Sequence, residues 1–278
     1  MKTRAAAAAT LKTLVRSATF WLMLAVLLAV TVGGVWEGYF NGDRADGIVI
    51  TVQNYVQVVS NCGAGTLLIF CMPLFAIVTV TIIQSRDYGD RFFEVEKAAG
   101  QKPSRYVFVR FLTLIVLNAA VLILFHAICL HLYIGTRGGV EGMTIGEYLA
   151  DAAVRQLRFD LAVGVPCIVF YIGIAFLFGS LFASKAAGAA GAIGYLVVYN
   201  VTDLFFRWEM GEFFFDYLAP IPNKLRFFVH YYDTPWFESI VGYFDITPTD
   251  VVLCEAFLLL GAFACAGVAY LRTRGRSL

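Results

Sequence analysis

The chain has 278 residues, of which 60% are hydrophobic and only 15% are charged, and its formal net charge is +1. Soluble globular domains carry about 25% charged residues, so the charges here are too few to cover a water-exposed surface. The composition therefore predicts an integral membrane protein, and the nearly neutral balance predicts no nucleic-acid partner.

Six apolar runs along the chain predict six transmembrane helices. Each run is close to the roughly 20 residues that a helix needs to cross the hydrocarbon core, and a helix satisfies its backbone polar groups within its own segment. We expect an all-α polytopic fold in one membrane domain that covers residues 1–278. The predicted spans are approximately 18–36, 65–84, 106–133, 161–182, 186–204 and 251–271.

The amino-terminal segment predicts an additional helix at the membrane surface. Basic residues precede the first apolar run and no small-residue cleavage site follows it, so we interpret the run as an uncleaved helix rather than a secretory signal. A helix over residues 5–17 would be typical of an interfacial segment in the headgroup region. Its two sides carry Lys12 and Arg16 on one and Leu11, Leu14 and Val15 on the other.

The distribution of basic residues predicts the orientation of the chain. Two thirds of the 21 Lys and Arg residues lie in segments that share one side of the membrane with the amino terminus, and those segments are shorter in total. The positive-inside rule therefore places both termini in the cytoplasm of a multi-pass plasma-membrane protein.

The cytoplasmic segment between predicted spans two and three is the most informative part of the sequence. Asp90 can cap a short charged helix that begins with Phe92 and Phe93, and Gly100 is well placed to terminate it. The two phenylalanines have no core of their own to enter. They either rest on the membrane surface or fill a groove on a cytosolic partner protein, and the residues alone leave both interpretations open.

At this segment the chain resembles the permeases of type-2 ATP-binding-cassette (ABC) transporters, the ABC-2 or six-span exporter class. That family has an acidic residue, a short helix, a glycine, and then a proline or small residue before Ser-Arg at the start of span three. The matching residues are Glu94–Gly100 and Pro103–Tyr106, with Ser104 expected to begin the next helix. The interfacial amino-terminal helix, the tight turn between spans four and five and the long outer segment before span six also match. In layout the chain is most similar to the smaller permeases that export antimicrobial peptides or confer immunity to them.

The resemblance implies a function and a set of partners. The short cytoplasmic helix would be a coupling helix that docks on a separate ATP-binding subunit, and that subunit would bind ATP and Mg²⁺. The resemblance also implies a dimer with a second permease copy or a sister permease, within the lipid bilayer of a bacterium. The docking residues that it implies are Asp90, Arg91, Phe92, Phe93, Glu94, Glu96 and Lys97.

The sequence contains no motif that predicts catalysis or nucleotide binding by this chain itself. The sequence has no G-x-x-x-x-G-K-[ST] run to hold ATP phosphates, and no protease or hydrolase motif. The ionisable residues at the ends of the predicted spans, Asp160, Asp203 and Glu255, lie near the outer face and form no proton relay. We therefore expect no catalytic, cofactor-binding or metal site in this chain, which would not be an enzyme.

Three further features bear on function. The small residues from Ala186 to Gly194 in predicted span five suit static packing against span two or four, or else a dimer or translocation interface. Pro73 and Pro166 predict kinks in spans two and four. The aromatic outer segment 202–250 suits the headgroup belt or a substrate exit surface. The alternative function is a non-transport membrane scaffold or sensor that recognises a lipid or peptide at this outer segment.

Overall fold

The computed structural model describes residues 2–41, 71–89, 103–137, 161, 164–182, 185–206 and 248–276. These residues form seven α-helices, and the described part of the chain contains no strand. The predicted all-α fold is therefore confirmed for these residues. In chain order the helices are α1 (Lys2–Val15), α2 (Ala18–Asn41), α3 (Met72–Gly89), α4 (Pro103–Arg137), α5 (Val165–Leu181), α6 (Lys185–Phe206) and α7 (Pro248–Arg276).

A helix lies at the position of each predicted span, although the apolar lengths differ. Two segments are long and apolar enough to cross a membrane, Tyr106–Phe125 in α4 and Glu255–Thr273 in α7, and the bent pair of α1 and α2 makes a third if it counts as one span. The shorter apolar segments are Met72–Ser85, Val165–Leu181 and Ala186–Val198. The described helices thus indicate a membrane location with two to three candidate spans, and the count of six stays a prediction.

Helix α5 occupies the centre of the bundle because it is apolar on every side. It packs against α3, α4, α6 and α7, and its most extensive contact is with α7. One continuous stretch of α5 is buried and comprises Ile168, Val169, Phe170, Tyr171, Ile172, Gly173, Ile174, Ala175 and Phe176.

Helices α5 and α6 form the tight helical hairpin that the three-residue gap between the fourth and fifth apolar runs predicts. Helix α5 ends at Leu181 and α6 begins at Lys185. The backbone N–H of Phe182 donates to the carbonyl of Phe178 at 3.1 Å, and the two rings stack with their centroids 6.0 Å apart. The last turn of α5 is therefore closed by a backbone hydrogen bond and by aromatic stacking.

Three prolines lie near the described starts of helices. Pro103 is the first residue of α4, one position before the expected start at Ser104. Pro73 and Pro166 lie in the first turns of α3 and α5. Cys71 and Gly164, two residues before these two prolines, are π-helical, and Gly164 has right-handed helical backbone angles. The kinks expected at Pro73 and Pro166 therefore stay a prediction.

Helices α1 and α2 meet at an elbow at Arg16 and Ser17, where the helix axis turns by 71°. The indole N–H of Trp21 donates across this elbow to the carbonyl of Val15 at 2.7 Å, and the N–H of Ser17 donates to the carbonyl of Leu14 at 2.9 Å. Helix α1 contacts both α3 and α4. Its buried face comprises Ala6, Thr10 and Leu14.

Large apolar side chains are exposed on the outside of the bundle. A water-soluble protein rarely shows so many, whereas helices that face lipid hydrocarbon are expected to do so. Among the most exposed are Leu22, Val116, Val198, Leu260 and Leu271. This surface agrees with the membrane location that the apolar helices indicate.

Candidate functional site

The predicted docking residues Asp90, Arg91, Phe92, Phe93, Glu94, Glu96 and Lys97 lie outside the described part of the chain. The structure describes the two helices that flank them. Helix α3 ends at Gly89 and α4 begins at Pro103. The candidate site therefore consists of the contacts through which these two helices are joined to the rest of the bundle.

A buried amide joins α3 to α4. Asn118 of α4 is fully buried, and its Nδ2 donates to the hydroxyl of Thr79 on α3 at 3.3 Å and to the carbonyl of Leu114 at 2.8 Å. The Thr79 hydroxyl in turn donates to the carbonyl of Ala76 at 2.8 Å. The Asn118 Oδ1 is buried and accepts no hydrogen bond from the described residues. An interhelical hydrogen bond between such groups in a membrane protein contributes on average about 0.6 kcal/mol.

A second polar side chain joins α3 to α5. Gln84 lies five residues after Thr79, which is ~7.5 Å further along the helix, and its amide donates a long hydrogen bond to the carbonyl of Phe176 at 3.5 Å. The Gln84 side chain lies against Gly179, where a Cβ would overlap it. Gly179 also touches α6, because a Cβ on Gly188 would lie 2.9 Å from the Gly179 Cα. Three helices therefore meet at Gln84, Gly179 and Gly188, which we call the three-helix junction.

Close backbone contact and a side-chain hydrogen bond join α5 to α7. A Cβ on Gly173 would lie 2.6 Å from the Cα of Ala262, so only glycine allows the two backbones to approach this closely. At the end of α5 beside the three-helix junction, Arg272 of α7 donates to the carbonyl of Ser180 at 3.3 Å. These contacts bring α7 to the same central helix that α3 and α6 contact.

Aromatic rings connect α4 to the same centre. The ring of Phe111 on α4 is fully buried between Phe176 of α5 and Phe263 of α7, at centroid distances of 5.7 and 5.5 Å. Both pairs are edge-to-face, which is a favourable geometry for aromatic rings. The neighbouring Arg110 is also buried, although it is a charged residue. Helix α4 is therefore joined to α5 and α7 by packing and to α3 by an amide.

Several small residues of α6 serve packing, which is one of the two roles that the sequence allows, whereas a Cβ on Gly194 would meet none of the described residues within 4 Å. Gly188 contacts Gly179, and a Cβ on Gly191 would lie 2.6 Å from the ring of Phe178 on α5. Ala192 is buried, and α6 also packs against α3. These contacts confirm packing against the helices of predicted spans two and four.

Neither Gln84 nor Asn118 was predicted from the sequence, because both amides are uncharged and only ionisable side chains in the apolar runs were treated as polar candidates. Asn118 is the one amide residue between Tyr106 and Phe125, and an isolated amide in such a run is a signal that could have identified it. Of the ionisable residues that were considered, Glu255 is partly buried at the start of a candidate span, and the side chains of Asp160 and Asp203 lie outside the described part.

Among the described residues no group of three or more His, Cys, Asp or Glu side chains could hold a metal ion. The contacts named above, including the hydrogen bond from Arg272 to Ser180, join helices to one another. No protein-family model and no curated protein matches this chain.

Proposed function

We propose that this chain is the membrane-spanning permease subunit of an ATP-driven exporter of the ABC-2 type. In this proposal the chain crosses the membrane six times, both termini are cytoplasmic, and residues Asp90–Lys97 dock on a separate ATP-binding subunit that carries ATP and Mg²⁺. A second copy of the chain or a sister permease completes the translocation unit.

One observation carries the proposal. Helices α3 and α4 flank the proposed docking segment, and between them they contact all five other described helices, α1, α2, α5, α6 and α7. A force applied to residues 90–102 would therefore act directly on the two described helices that contact the most other helices. This arrangement is what a subunit requires if it converts movement at its cytoplasmic face into movement of its membrane helices.

The distribution of positive charge in the structure supports the proposed orientation. Phe176 of α5 makes two contacts near the three-helix junction: its carbonyl accepts a hydrogen bond from Gln84, and its ring contacts Phe111 of α4. Arg110 directly precedes Phe111 and therefore lies near the same end of the bundle. Arg272 reaches Ser180 at the same end of α5. The positive-inside rule assigns the end with these arginines to the cytoplasm, which is the end where α3 leads into the docking segment.

In-membrane crosslinking at Phe92 tests the proposed docking. A photo-reactive phenylalanine analogue would be introduced at position 92, and at position 182 as a matched control, since Phe182 is exposed and lies at the α5–α6 turn on the same proposed side. Mass spectrometry of the crosslinked product identifies the partner. We expect an ATP-binding protein with a P-loop at position 92 and none at position 182.

Two substitutions extend this test. Phe92→Asp and Glu94→Arg should each abolish co-purification of the ATP-binding protein, because they change the shape and the charge of the proposed docking surface. Phe182→Asp removes the stacking on Phe178 but leaves the docking segment unchanged, so it controls for a general disturbance of the same side and should leave co-purification intact. Full assembly of both docking variants would show that the docking assignment is wrong, and crosslinks to lipid alone at position 92 would favour the alternative of a scaffold or sensor.

A further inference from the structure

The outer side of the α1–α2 elbow combines positive charge with apolar surface. We define the elbow surface as Leu11, Lys12, Val15, Arg16 and Trp21, all of which are exposed. The opposite face of α1 is buried against α3 and α4. The elbow surface is therefore presented away from the bundle, at the point where α1 turns into the first apolar helix.

Backbone and indole hydrogen bonds fix the geometry of the elbow surface. Lys12 and Arg16 lie one helical turn apart, and the N–H of Arg16 donates to the carbonyl of Lys12 at 3.3 Å. The hydrogen bond from Trp21 to the carbonyl of Val15 places the indole beside the last turn of α1. Two cations and an aromatic ring are thus held at one corner of the molecule, although Trp21 remains 54% exposed.

The positive charges of Lys12 and Arg16 on the elbow surface favour an anionic partner. The single acidic side chain that the structure describes is Glu255, which is on α7. Leu11, Val15 and Trp21 are exposed beside the two cations, so the partner also needs hydrocarbon groups that can pack against these side chains. A phospholipid with an anionic headgroup meets both requirements, because tryptophan and the stems of Lys and Arg favour the interface between headgroups and acyl chains.

We propose that the elbow surface is a binding site for an anionic phospholipid. Lys12 and Arg16 bind the headgroup phosphate, and Leu11, Val15 and Trp21 lie against the upper part of the acyl chains. Arginine offers several N–H donors in a fork that suits phosphate oxygens, whereas lysine contributes a point charge. This site goes beyond the exporter proposal and does not depend on it.

Fluorescence quenching of Trp21 provides a local test. The full-length chain with Trp36, Trp208 and Trp236 replaced by phenylalanine would be reconstituted into phosphatidylcholine vesicles, so that Trp21 is the only tryptophan. Brominated phosphatidylglycerol or brominated phosphatidylcholine is then added at equal mole fraction. Bromine quenches tryptophan only at close range, so the two quenching curves report the relative occupancy of the two lipids at the elbow.

We expect brominated phosphatidylglycerol to quench Trp21 at a lower mole fraction than brominated phosphatidylcholine does. Lys12→Gln and Arg16→Gln should each reduce this preference roughly fivefold, as expected for one cation at a membrane surface. The charge-preserving variants Lys12→Arg and Arg16→Lys should retain it, and all four substitutions fall on exposed side chains. Equal quenching by the two lipids in the chain with Lys12 and Arg16 intact would overturn the proposal. So would a preference for phosphatidylglycerol that remains when Lys12→Gln and Arg16→Gln are combined.

Discussion

Replacing Gly173 with alanine should destabilise the bundle, because it inserts a methyl group between α5 and α7. The new Cβ would lie 2.6 Å from the Cα of Ala262 and 2.8 Å from its carbonyl oxygen. Carbon atoms in contact are ordinarily separated by about 3.5 Å or more, so the two helices must move apart by about 1 Å. The obstacle is backbone and not the end of a flexible side chain, so no rotamer change can relieve it.

The size of the effect follows from two opposing contributions. Overpacking of a close interface costs about 1–3 kcal/mol. Replacement of glycine by alanine within a helix gains about 1 kcal/mol in helix propensity. Gly267 and Gly194 provide matched controls, because a Cβ at either position meets no atom of the described residues within 4 Å. Each control carries the propensity gain without the overpacking, so the difference between Gly173→Ala and the controls isolates the cost of packing.

Unfolding of the purified protein in mixed micelles of a mild detergent and dodecyl sulfate measures this difference. We expect Gly173→Ala to have a free energy of unfolding about 1–3 kcal/mol below that of Gly267→Ala or Gly194→Ala. If Gly173→Ala were as stable as these controls, α5 and α7 would not be in the close contact described.

Four other substitutions test the contacts of α3 with its neighbours. Gly179→Ala should displace the end of the flexible Gln84 side chain and break its hydrogen bond to Phe176, at a cost of about 0.5–1 kcal/mol. Gln84→Ala should remove this cost in a double-mutant cycle. Additive effects would place Gln84 away from Gly179. Asn118→Leu should change the unfolding free energy by less than about 1 kcal/mol, since it removes the hydrogen bond to Thr79 together with the buried Oδ1. Asn118→Asp should cost about 3 kcal/mol because it buries a charge, and equal stability of the two variants would contradict the buried position of Asn118.

The helices themselves could be predicted from the sequence, because apolar runs of the observed length form helices in lipid whatever their neighbours are. The α5–α6 hairpin could also be predicted, since three residues between two helices leave room for little else. Helix α4 begins at Pro103, one residue before the expected start at Ser104, since a proline ring has the φ angle of a first helical turn.

The pairing of helices could not be predicted. The sequence shows that Gly173 and Gly188 are small, but it does not show that the first approaches Ala262 and the second Gly179. Helix α5 has no polar side whose position would indicate its neighbours, so the periodicity of its sequence does not show which helices surround it. Asn118 could have been singled out from the sequence, whereas its partner Thr79 could not, because Thr81 lies two residues further along the same helix.

ATP hydrolysis by material purified through a tag on this chain tests whether the chain works with an ATP-binding subunit. The chain would be extracted from native membranes with a mild detergent, and hydrolysis would be measured for the wild type, Phe92→Asp and the matched control Phe182→Asp. We expect an ATP-binding subunit and its hydrolytic activity to co-elute with the wild type and the control and to be absent from Phe92→Asp. Elution of intact wild-type chain without any ATP-binding protein or ATP hydrolysis would contradict the proposed function.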